Sequence, residues 1–216
     1  MDIRKEVEAI KEEIIGWREE FHQYPEVGME EYRTAERIKE ELNKMNIRWE
    51  VVGETGVVGY IGDKNKGKII ALRADIDALR VEEKTGLPFA SKNPGVMHAC
   101  GHDAHIAGLL GAAKVIKSHE EKLKGMVKLI FQPSEENCKG ANLMIDNGIL
   151  DDVVTVITFT VNGNGVNTRL ADIIALVKTL SLSAKDVKIV HIYNNVAIIV
   201  RCDVSVGIVS ISRGNA

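Results

Sequence analysis

The chain has 216 residues, 28 Lys and Arg against 31 Asp and Glu, and 45% hydrophobic side chains. That is room for one large domain with a core of its own, and a formal charge of −3 offers no electrostatic footprint for nucleic acid or an anionic membrane. The charged start, Met1-Asp2-Ile3-Arg4-Lys5, reads as neither a secretory signal nor a membrane span. Cys100, Cys138 and Cys202 are too few and too odd in number for a disulfide framework, which points to a reducing compartment, the cytoplasm.

Ile3, Val7, Ile10, Ile14, Trp17 and Phe21 recur every three or four residues, which predicts one amphipathic helix. A second is expected from about Glu30 to Met45. Strands follow at Arg48 to Val52, Val57 to Ile61 and Lys68 to Ala74, the last running into Asp75-Ile76-Asp77. After a loop, Asp103 is a plausible N-cap for a helix carrying Ile106, Leu109, Leu110, Ala113 and Ile116 on one face. Val127 to Gln132 reads as a buried strand delivering Pro133-Ser134-Glu135-Glu136. The composition then changes. Residues 1–150 hold 48 of the 59 Asp, Glu, Lys and Arg residues, and Val and Ile make up 22 of the last 66 residues. Strand is expected from Val153 to Val161, a turn at Asn162 to Gly165, helix from Thr168 to Leu182, and strands at Val187 to Tyr193, Val196 to Asp203 and Ser205 to Ser212. Asn194-Asn195 fits a hairpin turn. The expected fold class is α/β, a helix-flanked sheet in residues 1–152, then a β-rich βαββ-like tail in 153–216 that forms a ferredoxin-like half or extends the same sheet.

Three polar clusters fall at the carboxyl ends of strands or the start of a helix, where open α/β sheets bind ligands. Asp75 and Asp77 form one, Glu135 and Glu136 another. The third is His98-Ala99-Cys100-Gly101-His102-Asp103-Ala104-His105. A thiol among imidazoles suits zinc or another transition ion, and a helix start favours the thiolate of Cys100.

The segments Arg18-Glu19-Glu20-Phe21-His22-Gln23-Tyr24-Pro25-Glu26, Arg73-Ala74-Asp75-Ile76-Asp77-Ala78-Leu79, Met97 to His105 and Phe131-Gln132-Pro133-Ser134-Glu135-Glu136 stand in the order of the M20 metallopeptidases and amidohydrolases. Over about residues 10–152 the chain resembles that family, in particular the branch acting on N-acyl amino acids, hippurate and auxin conjugates. The resemblance implies that Cys100, His102 and Glu136 ligate one or two divalent transition ions (Zn, Mn, Co or Ni) and that Glu135 is the general base. It implies a small N-acyl amino acid as substrate, while the net charge of −3 gives no reason to expect a nucleic acid or membrane partner. Metal-bound water has a pKa of about 7, and a carboxylate can take its proton and pass it to the leaving amine. Asp77 either orients a ligand or shapes the loop as a turn or capping residue. His22 is read as structural, His98 and His105 as outside the site, and Cys138 as a small, partly buried side chain.

Two metal-binding histidines that the resemblance calls for have no counterpart. Thr160 stands where one would fall, the other belongs to a far C-terminal region absent from this chain, and His191 sits in a strand-like run with no family motif. Two functions therefore remain open: a metal-dependent amidohydrolase, or an inactive truncated or recombined remnant that folds with or without a single ion.

Overall fold

Residues 3–158, 188–193 and 196–201 are described by a computed structural model, the last two segments as backbone only. The first predicted helix is two: α1 (Ile3–Ala9) and α2 (Lys11–Gln23). The break is at Ile10, at φ −111° and ψ 12°, whose N–H turns back to Val7 O three residues earlier. Packing explains why the two halves part. No residue of α1 is buried, whereas α2 sinks Trp17, Phe21 and His22 against the core.

Helix α3 (Tyr32–Lys44) starts two residues later than its pattern suggests, after Glu31, which is fully buried and whose carboxylate accepts from Thr55 Oγ1 (2.7 Å) and Ser134 N (2.8 Å). Strands β1 (Arg48–Val52), β2 (Gly56–Gly62) and β3 (Lys68–Asp75) follow. A long connection leads to α4 (His102–Lys117), then come β4 (Gly125–Gln132), a short α5 (Gly140–Asp146) and β5 (Val153–Thr158). Backbone strands β6 (Lys188–Tyr193) and β7 (Val196–Arg201) continue the sheet.

The strand order is β1-β2-β4-β3-β5-β6-β7. The β4-β3-β5-β6 centre is parallel, and the β1-β2-β4 and β6-β7 pairings are antiparallel. β6 thus lies beside β5 with Thr155 opposite Lys188, and Tyr193 pairs with Val196. The predicted turn at 162–165, helix at 168–182, turn at 194–195 and strand at 205–212 fall outside the described residues.

Period-two alternation gives the sheet two apolar faces. On β4, Val127, Leu129 and Phe131 join Ile38, Leu42, Ile106, Leu109 and Leu110 in the core beneath α2, α3 and α4. Met126 and Ile130 face the other way, with Val58, Ala71, Met144 and Val153. Burying each such large side chain contributes ~1.5–3 kcal/mol, enough to hold β3, β4 and α4 in fixed register. Among the described residues no helix is long and apolar enough to cross a membrane.

Candidate metal centre

The parallel pairing of β3 with β4 sets Asp75 opposite Gln132, so the chain segments leaving both strands emerge side by side. The N-terminus of α4 joins them. Its N-cap is Gly101, in the left-handed region at φ 81°, and not Asp103 as the sequence suggested. Asp103 instead lies in the first turn, where its Oδ2 accepts from Arg18 Nε (3.2 Å) and pairs with His22 Nδ1 (2.8 Å). His22 Nε2 lies 3.2 Å from Glu83 Oε1. The His22 imidazole thereby ties α2, the long connection and α4 together, and the Asp103 bond foremost raises its pKa against burial.

The connection over residues 76–101 carries only isolated bridges, which is long for a compact domain. It is pinned all the same. Leu79 and Met97 exchange both backbone hydrogen bonds (3.0 Å each), Ala78 N donates to Glu26 O and Lys92 N to Gln23 O. This holds Asp77 and Cys100 at the same end of the sheet.

The Glu135-Glu136 pair sits on a strained turn. Ser134 and Cys138 have φ of 55° and 60°, unfavourable for residues with a Cβ. The turn is over-determined by Cys138 N donating to Glu135 O (2.9 Å), and by Lys139 N and Gly140 N donating to Ser134 O (3.2 and 3.1 Å). Gly140 is required sterically: a Cβ there would lie 1.6 Å from the Pro133 carbonyl oxygen. Cys138, expected to be partly buried, is exposed, because the turn rotates it outward.

These segments bring the predicted ligand set together. Cys100, His102 and Glu136 each offer a ligand atom within 4.8 Å of the others. His102 Nδ1 donates to the Asp77 carbonyl oxygen (2.9 Å), with Asp77 Oδ1 3.3 Å away, which leaves Nε2 as the nitrogen that faces the other donors. That Nε2 is 3.8 Å from Glu136 Oε1 and 3.9 Å from Glu135 Oε2. Asp77 also accepts the Glu136 backbone N–H at Oδ2 (3.0 Å), so one buried residue orients two of the three donors, His102 through its main-chain carbonyl and Glu136 through its carboxylate. Glu136 Oε1 is buried with no hydrogen-bond partner, a cost that a cation would remove. The residues present fit a divalent ion.

The electrostatics follow from crowding of negative charge. Burial works against a protonated His102, but the Asp77 contact and the Asp75 charge outweigh it and lift its pKa to about 9. Cys100 is pushed up to about 12, foremost by the adjacent Glu136 carboxylate, then by burial and the other neighbouring carboxylates. These carboxylates oppose the helix-start effect expected to favour its thiolate. Glu135 is raised by burial and by Asp75. Buried His98, both of whose ring nitrogens lack a partner, is lowered to about 4 by desolvation.

Sequence reasoning left out one pair. His105 Nδ1 is hydrogen-bonded to Asp75 Oδ1, and Asp75 Oδ2 accepts from Arg73 Nη1 (2.8 Å). Although burial alone would raise it, Asp75 is held well below the usual carboxylate range by His105, Arg73 and His102. The available signal was the His-x-x-His spacing at 102 and 105, which stacks the two rings 5.3 Å apart on one helix face.

The sequence profile of peptidase family M20/M25/M40 matches residues 71–205. The chain belongs to this family. The matched stretch runs beyond residue 152, into the tail where sequence reasoning found no family feature. The chain is 49% identical over 150 residues to an N-acetyl-L-cysteine deacetylase of Bacillus subtilis (strain 168), an alignment covering 69% of this chain and 36% of that protein. It is 46% identical over 144 residues to the Arabidopsis thaliana IAA-amino acid hydrolase ILR1-like 4, covering 66% of this chain and 32% of that one. Among solved structures, the Bacillus subtilis YXEP protein, described as a dinuclear metal binding peptidase of the M20 family, superposes with a TM-score of 0.69 at 39% identity, over 72% of this chain and 44% of that one. The chain thus spans about a third of the length of these two curated relatives.

Proposed function

We propose that this M20 chain carries a metal-dependent amidohydrolase centre for N-acyl amino acids in a cytoplasmic setting, with Cys100, His102 and Glu136 holding a zinc-, manganese-, cobalt- or nickel-class ion and Glu135 as general base. The observation that carries this reading is the convergence of those three donors within 4.8 Å of one another, beside a half-exposed Glu135 carboxylate. When bound, the ion supplies Lewis-acid polarisation of the amide carbonyl and activation of water.

The chain's own residues divide the remaining work. Asp77 fixes the His102 tautomer through its carbonyl and fixes Glu136 through the backbone N–H, so the donors are aimed before anything binds. Glu135 Oε2 is 3.9 Å from His102 Nε2, and its side chain is 43% exposed, open to water and substrate. Its carboxylate takes one proton from the attacking water as the C–O bond forms, then returns it to the amine nitrogen as the C–N bond breaks. Partial burial raises its pKa, which strengthens it as the base that takes the water proton in the first step.

The competing reading, a folded remnant without turnover, draws on the sequence Ile157-Thr158-Phe159-Thr160-Val161, which has no histidine to add to the three donors. Hydrolysis of N-acetyl and N-benzoyl amino acids by the full chain separates the two. The amidohydrolase reading expects turnover that disappears with a chelator and returns with zinc, manganese or cobalt. No turnover with any ion, from folded protein, establishes the remnant.

A further inference from the structure

His102 stands between two sets of donors and can serve only one at a time. Its Nδ1 is committed to Asp77, so a single nitrogen is free. On one side that nitrogen meets Cys100 and Glu136; on the other, Asp75 Oδ1 lies 3.7 Å away, the same oxygen that holds His105 Nδ1. Asp75, His102 and His105 each offer a ligand atom within 4.8 Å of the others, and they are 4%, 4% and 5% exposed. Arg73 and His105 occupy different oxygens of Asp75, so the Arg73 bond to Oδ2 anchors the carboxylate while Oδ1 faces both imidazoles. His105 Nε2 is buried without a partner, so this imidazole is held inside the protein with hydrogen-bonding capacity that the fold leaves unused.

We propose that Asp75, His102 and His105 form an inner coordination set that competes with Cys100 and Glu136 for His102, and that a hard ion of the manganese(II) class takes this inner set. The chemistry of the donors drives the choice. Thiolate selects softer ions such as zinc or cobalt, whereas a carboxylate with two imidazoles is a nitrogen and oxygen set that manganese accepts without giving up preferred ligands. The ion supplied then decides which side of His102 is used, and the position of the charge relative to Glu135 differs between the two loaded forms. The inference rests on the reading that Cys100, His102 and Glu136 form the outer set.

The test uses the full chain. Pulsed electron paramagnetic resonance of the manganese(II)-loaded wild type is expected to show couplings from two imidazole nitrogens. Manganese affinity is expected to fall at least about tenfold in His105→Gln and to stay within about twofold in Cys100→Ala, since loss of a ligand costs no less than loss of its supporting partner. With cobalt(II), the thiolate-to-cobalt absorption band should be present in the wild type and in His105→Gln and absent in Cys100→Ala. One imidazole nitrogen on manganese, no manganese binding, or an affinity that follows Cys100 and ignores His105 would overturn the inner set. The wild-type resonance decides the matter even if His105→Gln does not fold. A cobalt band missing from the wild type, or surviving Cys100→Ala, would instead sink the outer set and leave the manganese result to be read on its own.

Discussion

Asp77 is a place where the proposed centre can be perturbed without removing one of its three candidate ligands. It is 1% exposed, its carboxylate accepts the Glu136 N–H at 3.0 Å, and its Oδ1 lies 3.3 Å from His102 Nδ1. The bond from His102 to the Asp77 carbonyl is main-chain and survives any substitution. Asp77→Asn keeps an oxygen that can accept from Glu136 but loses the charge that favours an imidazole N–H beside it. Asp77→Ala loses both. Removing outer partners of metal ligands weakens binding about 10–100-fold, and the two variants should take the two ends of that range: about tenfold for Asn, or ~1.4 kcal/mol, and about a hundredfold for Ala, or ~2.7 kcal/mol. Zinc affinity measured against a chromophoric chelator reads this directly, with circular dichroism confirming the fold. Affinities for both variants within about twofold of wild type would refute the claim that Asp77 aims the donors.

The turn bearing Glu135 and Glu136 should be intolerant of a side chain at position 140. Gly140→Ala places a Cβ 1.6 Å from the Pro133 oxygen, so a loss of at least ~2 kcal/mol in urea unfolding is expected, whereas Gly16→Ala, in a helix with nothing within 4 Å of the new Cβ, should gain ~0.5–1 kcal/mol. Equal effects would refute the steric argument. Burial opposes ionisation of Glu41, but the Lys44 and Arg37 contacts prevail and its folded pKa lies below the ordinary 4.5. Its contribution is therefore complete above that ordinary value and lost as the pH falls through the lower folded one. Urea midpoints of wild type and Glu41→Gln should differ at pH 6 and converge in acid, and a gap that widens in acid would reverse the sign.

Much of this architecture is legible in the sequence because hydrophobic period and strand termini are local signals. Phe21, Ile38, Leu109 and Phe131 meet in one core, and the three polar clusters sit at one end of the sheet because parallel β3 and β4 deliver them there. What was missed depends on contacts distant in sequence. Asp103 looks like an N-cap until Arg18 and His22, more than eighty residues away in the chain, claim its carboxylate. The Asp75–His105 pair spans thirty residues and needs β3 and α4 already packed. Helix α5 escaped because seven residues with one strong anchor, Met144, and an exposed Ile145 show too little periodicity. The break at Ile10 is invisible for a different reason: the apolar spacing continues through it, while only the second half finds a surface to bury.

The division of labour between adjacent glutamates is the central claim, and it can be read in one paired measurement of metal stoichiometry and turnover. Glu135→Gln should retain zinc at the wild-type ratio and lose hydrolysis of N-acyl amino acids by about 10²–10⁴-fold, the range of a positioned general base. Glu136→Gln should lose the ion itself. A Glu135→Gln variant that hydrolyses at the wild-type rate, or a Glu136→Gln variant that keeps its zinc, would contradict the account.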